Sequence, residues 1–132
     1  ICIAAETPML LNSIASALES CSESAPHIEF FLSSGQINRL LDKLINERID
    51  ILLLADDSTE PLGQQYASVL IPYEKTKMLV ATLGITVENL DEEKWIRVVW
   101  KKSLKSKNRD RVITALEMEH CRLKCGYADY LD

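Results

Sequence analysis

The residues of this chain that could take part in chemistry follow its apolar segments, where polar side chains replace aliphatic ones. They comprise carboxylates, hydroxyls and a lysine: Glu6, Ser33, Ser34, Asp56, Asp57, Thr82 and Lys102. Carboxylate oxygens are ligands that Mg²⁺ prefers, and backbone N–H groups at the start of a helix can bind an oxyanion. The chain therefore holds residue types suited to phosphate and divalent-cation chemistry, provided that the fold brings them together.

Each of these residues also has an ordinary structural role available to it. Ser34 can cap the N-terminus of a helix that follows it, and Asp56 and Asp57 can belong to a solvated acidic loop. The basic run between Lys101 and Lys107 can attract phosphate or simply lead into a helix in solvent. Which role applies depends on the elements that position these residues.

Short apolar segments alternate with helical segments along the chain. The apolar segments are typical of strands covered on both faces: Ile1–Ala5, His27–Leu32, Ile49–Leu54, Met78–Ala81 and Ile96–Trp100. The helical segments are Met9–Leu18, Ile37–Ile45, Pro61–Leu70, Val87–Lys94 and an amphipathic closing segment that starts at Asn108–Arg111. This alternation predicts one doubly wound α/β domain, a parallel sheet with helices on both faces. In such a sheet, binding residues lie at the carboxyl ends of the strands.

The composition limits the class of protein. With 132 residues, 47% of them hydrophobic and 27% charged, the chain has the size and apolar content of one globular domain. A net charge of -5 argues against a broad basic surface for nucleic acids, and the apolar segments are shorter than the ~20 residues of a membrane span. Scattered single cysteines indicate a reducing compartment. Because the chain begins at Ile1, we expect residues 1–132 to be a fragment of a longer protein.

Short motifs at the predicted strand ends resemble, in order and spacing, those of the receiver domain of two-component signalling. They are AAETP, DILLLAD, MLVAT and VVWKKS. The resemblance implies a flavodoxin-like sheet of five parallel strands in the order 2-1-3-4-5. It places Glu6 at an acidic Mg²⁺-binding position, Thr82 at the switch hydroxyl position and Lys102 at the lysine position. Ala5 and Ala55 stand where receivers carry the other acidic residue and the phosphoacceptor aspartate.

The two alanines imply a degenerate receiver, or pseudo-receiver. Phosphoryl transfer to a carboxylate needs an in-line oxygen and a divalent cation, and Ala5 and Ala55 supply neither a nucleophile nor a ligand. A shifted register stays open in which Asp56 or Asp57 is the phosphoacceptor, and Glu6 with Asp56 holds Mg²⁺ weakly. The domain itself is expected to be non-catalytic, with a hybrid sensor histidine kinase as its parent protein.

A degenerate receiver is expected to act through protein contacts. The resemblance implies an interface on the fourth helix, fifth strand and fifth helix, with Trp95, Arg109 and Arg111 as anchors, because aromatic and arginine side chains dominate binding hot spots. Trp95 could equally be a core residue. The expected partners are a histidine kinase or neighbouring domains of the same chain, with no nucleic-acid or membrane contact by this domain. The expected location is the cytoplasm, even for a membrane-anchored parent.

Two other functional classes compete with signalling. The segments AAETPMLLNSIASALES and FFLSSGQINRLL, followed by DILLLADD, also resemble the first lobe of a molybdate-type periplasmic binding protein. There, Ser34 would help to bind an oxyanion at a helix N-terminus. Length argues against this alternative, because two lobes need over ~200 residues. A small α/β enzyme ranks last, since the chain has no GxSxG, P-loop or GxGxxG motif.

Overall fold

The computed structural model of the protein describes residues 1–55, 63–72 and 95–118. Its strands are β1 (Cys2–Ala5), β2 (Phe31–Ser34), β3 (Ile51–Ala55), β4 (Tyr66–Pro72) and β5 (Trp95–Lys101). Its helices are α1 (Pro8–Ser13), α2 (Ala15–Ser24), α3 (Ile37–Ile45) and α4, which covers residues 107–118. In this described part of the chain, no helix has the length and hydropathy needed to cross a membrane.

The strands form a five-stranded sheet in the order β2-β1-β3-β5-β4. β1 pairs in parallel with β2 and with β3, so these strands share one direction. β5 is antiparallel to both of its neighbours, β3 and β4. β4 therefore runs in the same direction as β1 and β3, and β5 is reversed relative to the other described strands.

Strand β3 lies at the centre of the sheet, and its position explains its continuous run of aliphatic residues. Ile51, Leu52, Leu53 and Leu54 are all buried. Successive side chains of a strand point to opposite faces, so Ile51 and Leu53 join a core with α1, α2 and α4. Leu52 and Leu54 join a second core with α3 on the other face. The expectation of helices on both faces of one α/β sheet is confirmed.

The helices cover the sheet through stripes of buried residues at helical spacing. On α3, Leu40 and Leu44 are one turn apart and both buried. On α4, Val112, Ile113 and Leu116 are buried against the opposite face. The predicted amphipathic closing helix is therefore present over residues 107–118.

The predicted strand order 2-1-3-4-5 and the all-parallel sheet are wrong. The strand formed by Trp95–Lys101 lies beside β3 and runs antiparallel to it, with Ala55 opposite Ile96 and Leu52 opposite Val99. Hydrophobic spacing identifies a strand but carries no signal for its direction, because an aliphatic run buries equally well in either sense. The flavodoxin-like topology is replaced by a mixed sheet.

The helix predicted over Pro61–Leu70 is also wrong in its described part, where Tyr66–Pro72 forms strand β4. Exposure alternates along this strand: Ser68 and Leu70 are exposed, whereas Val69 and Ile71 are partly or fully buried. That period of two is the pattern of a strand with one covered face. The predicted strand Met78–Ala81 and the predicted helix Val87–Lys94 lie outside the described residues.

Replacing Leu53 with Ala should lower the free energy of unfolding by about 2–5 kcal/mol, because it leaves a cavity in the core beside the central strand β3. The matched control is Leu70→Ala in β4, where the leucine is 44% exposed and the loss should be no more than about 1 kcal/mol. Urea unfolding followed by circular dichroism measures both variants. Equal losses in the two would contradict the central position of β3.

Candidate functional site

Strand direction brings a defined set of chain segments to one edge of the sheet. The parallel strands β1, β2 and β3 all end at this edge, and β4, which runs the same way, ends there too. The reversed strand β5 begins at the same edge, since Pro72 at the end of β4 lies opposite Trp95. We call this the carboxyl edge: Glu6, Ser34, Ala55, Pro72 and Trp95 mark it.

Glu6 ties the ends of β1 and β3 together at the carboxyl edge. Its backbone N–H donates to the carbonyl oxygen of Leu53 at 3.2 Å, which continues the parallel ladder by one residue. Its carboxylate Oε1 accepts a hydrogen bond from the backbone N–H of Ala55 at 2.6 Å. The chain then turns through Thr7 into α1, where Pro8 occupies the first helical turn and needs no N–H partner. Glu6 is thus already engaged as a hydrogen-bond acceptor.

The turn from β2 into α3 presents hydrogen-bonding groups at the same edge. Gly35 donates its N–H to the carbonyl oxygen of Ala5 at 3.2 Å, which joins this turn to β1. The residue before α3 is Gln36, in an extended conformation and with no side-chain hydrogen bond to the helix. The N-cap position therefore belongs to Gln36 rather than to Ser34, and Ser33 and Ser34 are exposed.

Lys102 lies at the opposite edge of the sheet. Because β5 is antiparallel to β3, its carboxyl end lies beside the amino ends of the other strands, and Lys101 pairs with Tyr66. Lys102 follows there and donates its N–H to the carbonyl oxygen of Gln65 at 2.8 Å. The structure therefore does not bring Lys102 near Glu6. The other predicted members of this set, Asp56, Asp57 and Thr82, lie outside the described residues.

The predicted interface residues occupy different parts of the fold. Trp95 is half-buried at the carboxyl edge, whereas Arg109 lies on α4 near the other end of β5, about 20 Å along the strand. Arg109 is buried, and its Nη1 donates to the carbonyl oxygens of Lys101 and Leu104. Arg111 is exposed. A binding role for these residues stays a prediction.

Metal-binding residues do not gather in the described part of the chain, where no three or more His, Cys, Asp or Glu side chains are placed to hold an ion. Asp56, the predicted Mg²⁺ partner of Glu6, is outside the described residues. Weak Mg²⁺ binding stays a prediction. Cys2 and Cys21 are free thiols, half-buried and buried respectively.

Comparison with known proteins rests on the fold, because no protein-family model and no curated protein matches the sequence. The C-terminal domain of a probable LysR family transcriptional regulator from Rhodococcus sp. RHA1 superposes with a TM-score of 0.60 at 11% identity, covering 89% of this chain and 98% of that one. HinK, a LysR family regulator from Pseudomonas aeruginosa, gives 0.61 at 11% identity, with 90% and 69% covered. The fold resembles a LysR regulatory domain.

A further LysR-like match comes from the OxyR regulatory domain of Pseudomonas aeruginosa, with a TM-score of 0.52 at 14% identity over 94% of this chain and 96% of that one. These matches overturn the resemblance to receiver domains, and with it the pseudo-receiver function and the histidine kinase partner. The physical reason is the reversal of β5: the motif VVWKKS ends at the edge of the sheet opposite AAETP. A receiver-type site needs both motifs at one edge.

Sequence reasoning missed the contribution of β4 and Trp95 to the carboxyl edge. The available signal was the composition of Tyr66–Pro72, YASVLIP, which is rich in the aromatic and β-branched residues that favour strands and ends in a proline. A proline tolerated at the end of a strand marks a place where the ladder stops. Recognising that strand would have placed Trp95 at the edge where β4 ends.

Glu6→Ala should destabilise the carboxyl edge, because it leaves the Ala55 N–H without its carboxylate acceptor. The expected loss is about 1–3 kcal/mol in the free energy of unfolding, with at least about tenfold faster hydrogen exchange at the Ala55 amide. Glu6→Gln keeps an oxygen acceptor and should recover most of the protection. The control is Glu19→Ala on the exposed face of α2. If the exchange rate of the Ala55 amide is unchanged in Glu6→Ala, the Glu6 carboxylate does not link the ends of β1 and β3.

Proposed function

We propose that this chain is a regulatory module that binds a small-molecule effector at the carboxyl edge of its sheet. The observation that carries the proposal is the strand order β2-β1-β3-β5-β4 with β5 reversed, which accompanies the likeness to LysR regulatory domains. In open α/β sheets, ligands bind beyond the carboxyl ends of the parallel strands. A DNA-binding domain in the same longer protein would convert binding into transcriptional control, and the cytoplasm is the proposed location.

The groups at the carboxyl edge favour a small organic anion, such as a carboxylate. The first N–H groups of α3 have no side-chain cap, and the positive end of the helix dipole points to this edge. Arg39 is exposed in the first turn of α3, and the hydroxyls of Ser33 and Ser34 lie just before the helix. The acidic residue described at this edge, Glu6, is occupied by the Ala55 N–H. The balance of donors therefore supports an anionic ligand.

The affinity of this edge for a ligand is expected to be weak. Ligand pockets usually enclose most of the surface of the ligand, and in a two-lobed protein a second lobe closes over it. The described residues, 1–55, 63–72 and 95–118, supply one wall of a cleft at this edge. A dissociation constant of about 1 mM is therefore expected, which corresponds to ~4 kcal/mol of binding.

Titration of the ¹⁵N-labelled chain with benzoate and with succinate tests the proposal. One of these carboxylates should shift the backbone amides of Glu6 and of residues 33–39, while the amides of residues 101–106 at the opposite edge stay unchanged. Arg39→Gln should raise the dissociation constant by about tenfold or more, since it removes one charge-assisted contact to the carboxylate.

The matched control for the titration is Arg48→Gln, which removes an exposed arginine beyond the C-terminal end of α3. Its dissociation constant should equal that of the unaltered chain. Shifts confined to another surface, or equal weakening by Arg39→Gln and Arg48→Gln, would rule out ligand binding at the carboxyl edge.

A further inference from the structure

The segment that joins β5 to α4 is strongly basic in an acidic protein. Six of the 15 lysines and arginines of the chain lie within residues 101–111, where Asp110 is the one acidic residue. The rest of the chain is correspondingly more acidic than the net charge of -5 indicates. Net charge argues against a broad basic surface, but it does not describe this local concentration. We propose that this basic segment contacts the phosphate backbone of duplex DNA.

Buried Arg109 fixes the shape of the segment. Its Nη1 donates to the carbonyl oxygens of Lys101 at 3.4 Å and Leu104 at 2.5 Å, which holds the loop against the start of α4. Its backbone N–H donates to Oγ of Ser106 at 3.2 Å, a side-chain cap for this helix. Its Nη2 donates to Oδ1 of Asp110 at 3.2 Å, which offsets the one negative charge of the segment. A loop held in this way loses little conformational freedom on binding.

Four cations of the segment remain available to a partner. Lys102, Lys105, Lys107 and Arg111 are exposed, and none of them forms an ion pair with a residue of the described ranges. Lys101 differs, because its Nζ pairs with Oε1 of Glu47 at 3.2 Å. On α4, the side chains of Lys107 and Arg111 lie one turn apart on the same side. The patch therefore presents uncompensated positive charge from both the loop and the helix.

The chemistry of this surface fits a nucleic-acid backbone better than a membrane or a protein. Contacts to phosphates come from lysine, arginine, serine and asparagine side chains and from helix N-termini, and Ser103 and Asn108 are exposed among the cations. None of the exposed large hydrophobic residues of the described ranges lies within 101–111. Membrane-bound helices insert apolar side chains, and protein interfaces have an apolar core. Residues 101–111 themselves have neither; the exposed Met118 lies further along α4, in the cavity between α2 and α4 that Lys107 and Arg111 also line.

This inference is independent of the proposed effector site. The basic segment follows the carboxyl end of β5 and so lies at the edge of the sheet opposite Glu6 and Ser34. Loss of one activity therefore leaves the other in place, and the two proposals can fail separately.

Fluorescence anisotropy of a labelled 30-base-pair duplex of mixed sequence, titrated with the full 132-residue chain at 50 mM salt, tests the proposal. Binding is expected, and it should weaken roughly a hundredfold between 50 and 200 mM salt if about four phosphates are contacted. The variant Lys102→Gln/Lys105→Gln removes two of these contacts. It should weaken binding at 50 mM salt at least about tenfold and lower the salt slope by about 1.8.

The control variant Lys43→Gln/Arg48→Gln removes the same charge from exposed positions on and just after α3. It should weaken binding clearly less than Lys102→Gln/Lys105→Gln does and leave the salt slope unchanged, because Arg48 adjoins Glu47, the partner of Lys101, but its replacement removes no phosphate contact. Three outcomes would overturn the proposal: no binding of the duplex at 50 mM salt, equal weakening by both variants, or binding to vesicles containing phosphatidylserine with none to the duplex.

Discussion

Pairing between β3 and β5 is the constraint on which the rest of this structure depends. β3 is buried on both faces and joins parallel β1 on one side to antiparallel β5 on the other. This single change of direction decides which chain segments end at each edge of the sheet. It brings the start of β5 to the edge where β1 and β3 end, and it sends Lys101 and the basic residues after it to the opposite edge.

The two edges consequently differ in chemistry. At the carboxyl edge, hydrogen bonds from Gly35 to Ala5 and from Ala55 to Glu6 bind neighbouring turns to one another. At the opposite edge, Arg109 donates hydrogen bonds to the carbonyl oxygens of Lys101 and Leu104, at the end of β5 and in the loop that follows it. Each edge is organised by a charged side chain that satisfies backbone groups, so the outward-facing residues around it are held in defined positions. The two proposed binding surfaces therefore lie on separately organised edges of the sheet.

Strand β2 shows where the sheet is least covered. All of its residues are exposed, including Phe31 at 59% and Leu32 at 49%. It is an outer strand that pairs with β1 on one side. Exposed apolar side chains on an outer strand favour association with another strand, which distinguishes this side of the sheet from the well-covered centre formed by β3. The stability of the fold accordingly resides in β1, β3 and β5 and the helices packed on them.

The sequence by itself determined the central strand and the helical layers on its two faces, but it did not determine strand β4, which was predicted to be part of a helix. The run ILLLA required a strand covered on both faces, and the spacing of Leu40 with Leu44 and of Val112 with Leu116 required helices above and below it. The direction of β5 was decided by tertiary structure alone, because aliphatic periodicity is the same for parallel and antiparallel pairing. The motifs AAETP and VVWKKS suggested one site, yet long-range pairing placed them at opposite edges. Local hydrophobic periodicity indicates which residues are buried. Which distant residues come into contact depends instead on the order of the strands in the sheet and on the direction of each strand.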